Sequence, residues 1–227
     1  MADQRSHFHS ELDALESSIL GIAERADHIV GTAVDALVNA DVQMAAAVSR
    51  EGAALAEVYV EAHTRWLNLM ALQQPMGSDL RMMSALLHLN VTLERTAAQC
   101  VNIAELARLA RGLPTSDRII RRIEEMADLV RPMIRTAVHA FQRRDPDEAR
   151  LLPAMDEPVD EINRAMYREV VDCAPDERLI EWATHMMMAA RALERIGDQA
   201  VDIGEQVVFL ISGEYHGFSD EGITGRS

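Results

Sequence analysis

The sequence predicts an all-α fold of two tandem three-helix bundles, six long helices in all. Three observations lead there. First, the residues around Glu94 return around Glu194. Leu93-Glu94-Arg95, Gln99 and Val101-Asn102-Ile103-Ala104-Glu105 are matched by Leu193-Glu194-Arg195, Gln199 and Val201-Asp202-Ile203-Gly204-Glu205, and Pro75 and Pro175 share the same offset of 100 residues. Thr32-Ala33-Val34 and Thr136-Ala137-Val138 match at 104. An internal repeat constrains architecture more firmly than local propensity does. Second, apolar residues recur at three and four residues, the helical period, and no stretch alternates as a strand would. Third, 48% of the chain is hydrophobic but only 4% aromatic. The core is therefore Ala, Leu, Ile, Val and Met, which suits close helix packing better than a sheet.

Each element rests on local chemistry. Leu12, Leu15, Ile19, Ile22, Ala26, Ile29 and Val30 form the first stripe, continued by Ala33, Ala36 and Leu37. Asn39-Ala40-Asp41 breaks it, and Asp41 is placed to cap a second helix over 42–72, with a bend expected near Gly52. Gln73-Gln74-Pro75-Met76-Gly77 is a turn, after which Ser78 or Asp79 caps a third helix running to Arg111. Gly112-Leu113-Pro114 ends it in the usual C-terminal order. The second copy opens at Thr115-Ser116-Asp117 and its first helix reaches Arg144. Asp145-Pro146 reads as a cap with proline at the first helical position. Pro153 and Pro158 interrupt the next stretch, so a short helix is expected before a main one starting near Asp156. Ala174-Pro175-Asp176 turns into a last helix ending at Ser212. The expected units are thus 1–112, 113–213 and a mobile, glycine-bearing tail over 214–227.

The formal net charge is −15, a field that repels nucleic acid and favours cations and basic protein surfaces. All 22 basic residues are Arg, the better bidentate partner for carboxylates. Cys100 and Cys173 have no CxxC spacing and read as buried free thiols in a reducing compartment. The polar start Met1-Ala2-Asp3-Gln4-Arg5 is no secretory signal, and no apolar run is long enough to span a membrane, so a cytoplasmic protein is expected. Thirteen Met residues add pliable filler and surfaces that favour self-association, hence an expected homodimer.

Candidate chemistry concentrates in the last helix. Glu194, Asp198, Asp202 and Glu205 fall at i, i+4, i+8 and i+11, on one stripe. Asp156 and Asp160 repeat the i, i+4 spacing one helix earlier, and an antiparallel hairpin turning near Pro175 brings the two pairs side by side. Oxygen-only ligands suit hard cations: Mg²⁺, Mn²⁺ or iron. The alternative is a solvated acidic face neutralised by Arg191 and Arg195. In the first copy Glu94 and Glu105 remain, but Ala98 and Asn102 stand where the second copy has Asp198 and Asp202. Glu-x-x-His pairs, a P-loop, GxGxxG and a Ser/His/Asp constellation are all absent, and Glu181 with His185 reads as a surface or packing pair.

Leu193-Glu194-Arg195-Ile196-Gly197-Asp198-Gln199-Ala200-Val201-Asp202-Ile203-Gly204-Glu205 resembles the recurring motif of the PhoU family, and Gln73-Gln74-Pro75, Ser78-Asp79-Leu80-Arg81 and Asn102-Ile103-Ala104-Glu105 resemble its first-repeat counterpart. The likeness covers nearly the whole chain. It implies two bundles related by a pseudo-two-fold axis. It also implies a cytoplasmic negative regulator of phosphate uptake and of the phosphate-starvation response, peripheral to the membrane through its contacts. The implied partners are the ATPase subunit of a phosphate ABC transporter and a two-component sensor histidine kinase. The family's acidic metal motifs fall here on Glu194, Asp198, Asp202, Asp156 and Asp160, with Glu94, Arg95, Asn102, Glu105, Arg195 and Glu205 completing the repeated motif. Ala98, four residues after Glu94, departs from that pattern, so one metal site, in the second copy, is expected. Against this non-catalytic regulator stand two other readings: a metal-dependent enzyme using the carboxylates, and a plain helical scaffold or dimerisation module.

Overall fold

The computed structural model describes residues 2–214 and 217–218, all of the regular structure being helical. Six long helices and one short one occur in order: α1 (Ala2–Val38), α2 (Val42–Gln73), α3 (Ser78–Leu109), α4 (Asp117–Arg143), α5 (Pro146–Ala149), α6 (Leu152–Asp172) and α7 (Glu177–Ser212). The expected tail over 214–227 lies almost wholly outside the described residues.

Capping carboxylates fix several starts. Asp41 accepts from the Gln43 and Met44 amides, Asp145 from Asp147 and Glu148, and Asp176 from Arg178 and Leu179. Gly77, Gly112 and Gly213 take the left-handed φ values of 60°, 78° and 76° at the ends of α3 and α7 and in the link to α4. Two expectations need correction. Gly77, not Ser78 or Asp79, occupies the cap position of α3, where no side chain caps the helix. α6 begins at Leu152 rather than near Asp156, and it continues through Pro158. Pro153 falls in the first turn, where its missing N–H has no partner to lose, so it starts the helix rather than interrupting it. At Gly52, where a bend was expected, α2 is unbroken, and a methyl group there would collide with Val101 Cγ2 of α3.

Packing sorts the long helices into two sets of three. α1, α2 and α3 pack together, as do α4, α6 and α7. The sets meet through like elements, α3 against α7 and α1 against α4, which leaves α2 and α6 on the outside. One aliphatic core runs through both sets, from Leu15, Ile19 and Ile22 to Leu193, Ile196 and Val207. Ion pairs tie α1 to the second set: Asp27 to Arg131 (3.3 Å) and Arg135 (3.2 Å), and Glu16 to Arg144 (2.7 Å). This arrangement turns α6 and α7 toward each other along the faces that carry their acids.

Candidate metal centre

Asp156 sits at the second turn of α6 and Asp160 one turn further, while Glu194 and Asp198 lie one turn apart on α7. The helix hairpin brings them together. A Cβ placed on Gly197 would stand 2.5 Å from Asp156 Oδ1, so the glycine makes room for the carboxyl of the neighbouring helix. That oxygen is buried without a hydrogen-bond partner, and so is Glu194 Oε2. Glu194 is only 6% exposed, and its other oxygen accepts from Arg191. Asp160 pairs with Arg164 at 3.3 Å, and Arg164 also reaches Glu157 at 2.8 Å.

Electrostatics report the same proximity. Burial, then the charges of Asp198, Asp160 and Glu194, push the Asp156 carboxyl up to about 7. Glu194 is raised by burial and by Asp198, against the lowering effect of Arg191. Asp198 is raised by burial and by Asp160, again opposed by Arg191. These acids are therefore crowded enough to disfavour one another's ionised forms. Two buried carboxyl oxygens lacking a partner, among oxygen-only donors, fit a hard cation. In the arrangement described, however, no three His, Cys, Asp or Glu side chains among the described residues are disposed as a metal-ligating group.

Most of the remaining sequence-predicted residues lie apart from this cluster, although the charges of Asp202 and Arg195 reach Asp198. Asp202 faces α3, where it lines a groove with Leu87, His88, Thr92, Arg95 and Glu205. Partial burial raises its carboxyl, and Arg95 and His88 oppose that rise. Glu205 accepts from the Phe218 amide at 2.8 Å. Glu94 and Asn102 line a shallow cavity of about 260 Å³ with Gly52, Ala56, Ala97 and Ala98. At the offset that relates Thr32 to Thr136, Gly52 and Ala56 stand where the second copy has Asp156 and Asp160. The cavity is thus the first-copy counterpart of the α6/α7 site, with Glu94 kept and three acids replaced by Gly52, Ala56 and Ala98. Glu105 pairs with Arg108 at 3.3 Å, and Arg195 is exposed beside Glu194 and Asp198, whose carboxyls it helps to hold down.

Sequence reasoning missed two contributors, Gly197 and His88. A glycine inside a helix costs about 1 kcal/mol relative to alanine, so Gly197 in the middle of α7 was a signal that something approaches closely there. Nothing in the local sequence around His88 marks it as facing Asp202.

A PhoU domain profile matches residues 19–107 and 123–207, one match in each copy. The chain belongs to the PhoU family. It is 31% identical over 208 residues to the phosphate-specific transport system accessory protein PhoU homolog of Caulobacter vibrioides, covering 91% of this chain and 90% of that one. Against the protein of the same description from Rhizobium meliloti it is 28% identical over 209 residues, covering 92% and 88%. The crystal structure of PhoU from Pseudomonas aeruginosa superposes with a TM-score of 0.86 at 29% identity, covering 91% of this chain and all of that one. That of the phosphate transport system regulatory protein PhoU from Streptococcus pneumoniae gives 0.83 at 25%, covering 92% and 99%. The all-helical PhoU architecture therefore extends over nearly the whole chain.

Proposed function

We propose that this chain is the accessory protein of a phosphate-specific transport system and that it acts as a negative regulator of phosphate uptake and of the phosphate-starvation response. It works by protein contact rather than by catalysis, on the ATPase subunit of a phosphate ABC transporter and on a sensor histidine kinase. The single observation that carries this reading is the match of both copies, over nine-tenths of the chain, to relatives described as phosphate-transport accessory proteins. The acidic surface supports a basic partner, since complementary charge speeds encounter and selects partners. No described helix is long and apolar enough to cross a membrane, which accords with a cytoplasmic protein held at the membrane through the transporter. Exposed Leu72 and Met76 at the α2–α3 turn support self-association as a homodimer.

The second copy is also proposed to bind one Mg²⁺, Mn²⁺ or iron ion. Asp156, Asp160, Glu194 and Asp198 would hold it, with Asp202 next in line on α7. Support comes from the unpartnered oxygens of Asp156 and Glu194 and from the mutual crowding of these carboxyls. A cation there supplies positive charge to a group of acids now opposed by Arg191, Arg195 and Arg164.

Deleting the gene in its own host tests the regulatory reading. Phosphate-uptake genes should be expressed in phosphate-rich medium, and the intact gene should restore repression. Expression that stays repressed in the deletion strain would rule the reading out.

A further inference from the structure

The crossing of α3 and α7 leaves two grooves that are copies of each other. One is lined by Gln99, Asn102 and Leu109 of α3 with Met188, Arg191 and Arg195 of α7, and has a volume of about 520 Å³. The other is the groove of about 340 Å³ that holds His88, Val91, Arg95, Asp202 and Glu205. Exchanging the copies at the offset of 100 residues turns Met188 into His88, Arg191 into Val91, Arg195 into Arg95 and Asn102 into Asp202. The exchange reverses the charge. Asp202 and Glu205 outnumber Arg95 in the smaller groove, whereas Arg191 and Arg195 outnumber Glu105 in the larger one. Glu105 there is already paired with Arg108. Arg191 pairs with Glu194, and the charges of Arg191 and Arg195 both act on Glu194 and Asp198, yet both side chains also line this groove.

We infer that the larger groove is a binding site for a phosphoryl oxyanion, held by Arg191 and Arg195 with the side-chain amides of Gln99 and Asn102. The two guanidiniums stand one turn apart on α7, each with planar donors suited to oxyanions. A dianion satisfies both, whereas a single carboxylate satisfies one. Asn102 offers N–H donors at the position where the other copy has a repelling carboxylate. Leu109 and Met188, each 54% exposed, supply apolar walls for an organic substituent. The volume falls in the range of about 300–1,000 Å³ typical of small-ligand sites. The inference does not rest on the regulatory role, and it shares Arg191 and Arg195 with the acids of the α6/α7 cluster.

Isothermal titration of the full chain with inorganic phosphate and, separately, with adenosine monophosphate tests it. Saturable binding of at least one probe is expected. Arg195→Gln and Asn102→Asp should each weaken it by roughly tenfold or more, since each removes or opposes a charge-assisted contact. Arg195 is exposed and Asp is the residue the other copy uses, so both variants should keep the wild-type helical circular dichroism. Tighter binding of the monophosphate ester identifies an organic phosphate as the ligand, and equal or weaker binding identifies free phosphate. Absence of saturable binding by either probe, or affinities unchanged in both variants, overturns the inference.

Discussion

The Thr96 hydroxyl of α3 donates to Gln199 Oε1 of α7 at 2.8 Å, with both side chains buried, so a buried side-chain hydrogen bond joins the two copies where α3 and α7 pack. Thr96→Val keeps the shape and leaves the Gln199 acceptor without this donor. A loss of about 1–2 kcal/mol is expected in urea unfolding, the cost of stranding a buried polar atom. An unchanged midpoint would mean that water or a rotated Gln199 replaces the bond.

Asp156 should set a pH dependence. Its carboxyl lies near 7 when folded, against an ordinary value of 3.8. A raised folded value means that the folded state holds the proton more tightly. The resulting stability is fully present below about pH 4 and is lost as pH rises through 7. Asp156→Asn should therefore flatten the metal-free stability profile between pH 4 and 7. It should also stabilise the protein at pH 8 by about 1–2 kcal/mol, after allowance for solvent screening. Equal slopes for the two proteins in thermal melts across that range would show that Asp156 ionises without penalty.

Gly197→Ala drives a methyl group against Asp156 Oδ1. The displaced carboxyl should no longer share a point with Glu194 and Asp198. In metal-free protein the helix content should stay at the wild-type level. Added Mn²⁺ at pH 7.5 should raise the melting temperature of the wild type by several degrees and that of the variant by much less, because a ligand stabilises only the fold it binds. Equal Mn²⁺-induced shifts would dissociate the glycine from the cation.

Asp27 links α1 to Arg131 and Arg135 of α4, and the guanidinium of Arg131 lies over Gly31. Arg135 is half-exposed and Arg131 about a third exposed over a partly buried Asp27, so Asp27→Ala should cost about 1 kcal/mol, and the difference should shrink at 1 M salt. A salt-independent loss would point to packing under Arg131 as the cause.

Much of this fold was legible because its signals are local. Asp41, Asp145 and Asp176 each precede a helix, and each caps the helix after it. Pro153 misleads because a proline breaks a helix interior but starts a first turn, and the sequence pattern alone leaves its position undecided. The meeting of Asp156 with Glu194 and Asp198 was legible from i, i+4 spacing and the hairpin at Pro175. The departure of Asp202 was not. Eight residues carry a straight helix about 80° past its starting direction, so Asp202 is turned toward α3 rather than α6. Which helix waits there depends on the crossing of the two copies, a tertiary property with no local signature. His88 was invisible for the same reason.

The replacement of acids by Gly52, Ala56, Ala98 and Asn102 has one more consequence. A perfect duplicate could dock on a partner in two orientations half a turn apart, with equal affinity. Unlike halves remove that ambiguity, so a neighbour that recognises the acidic half meets the bundle one way round and always finds the same helix ends beside it.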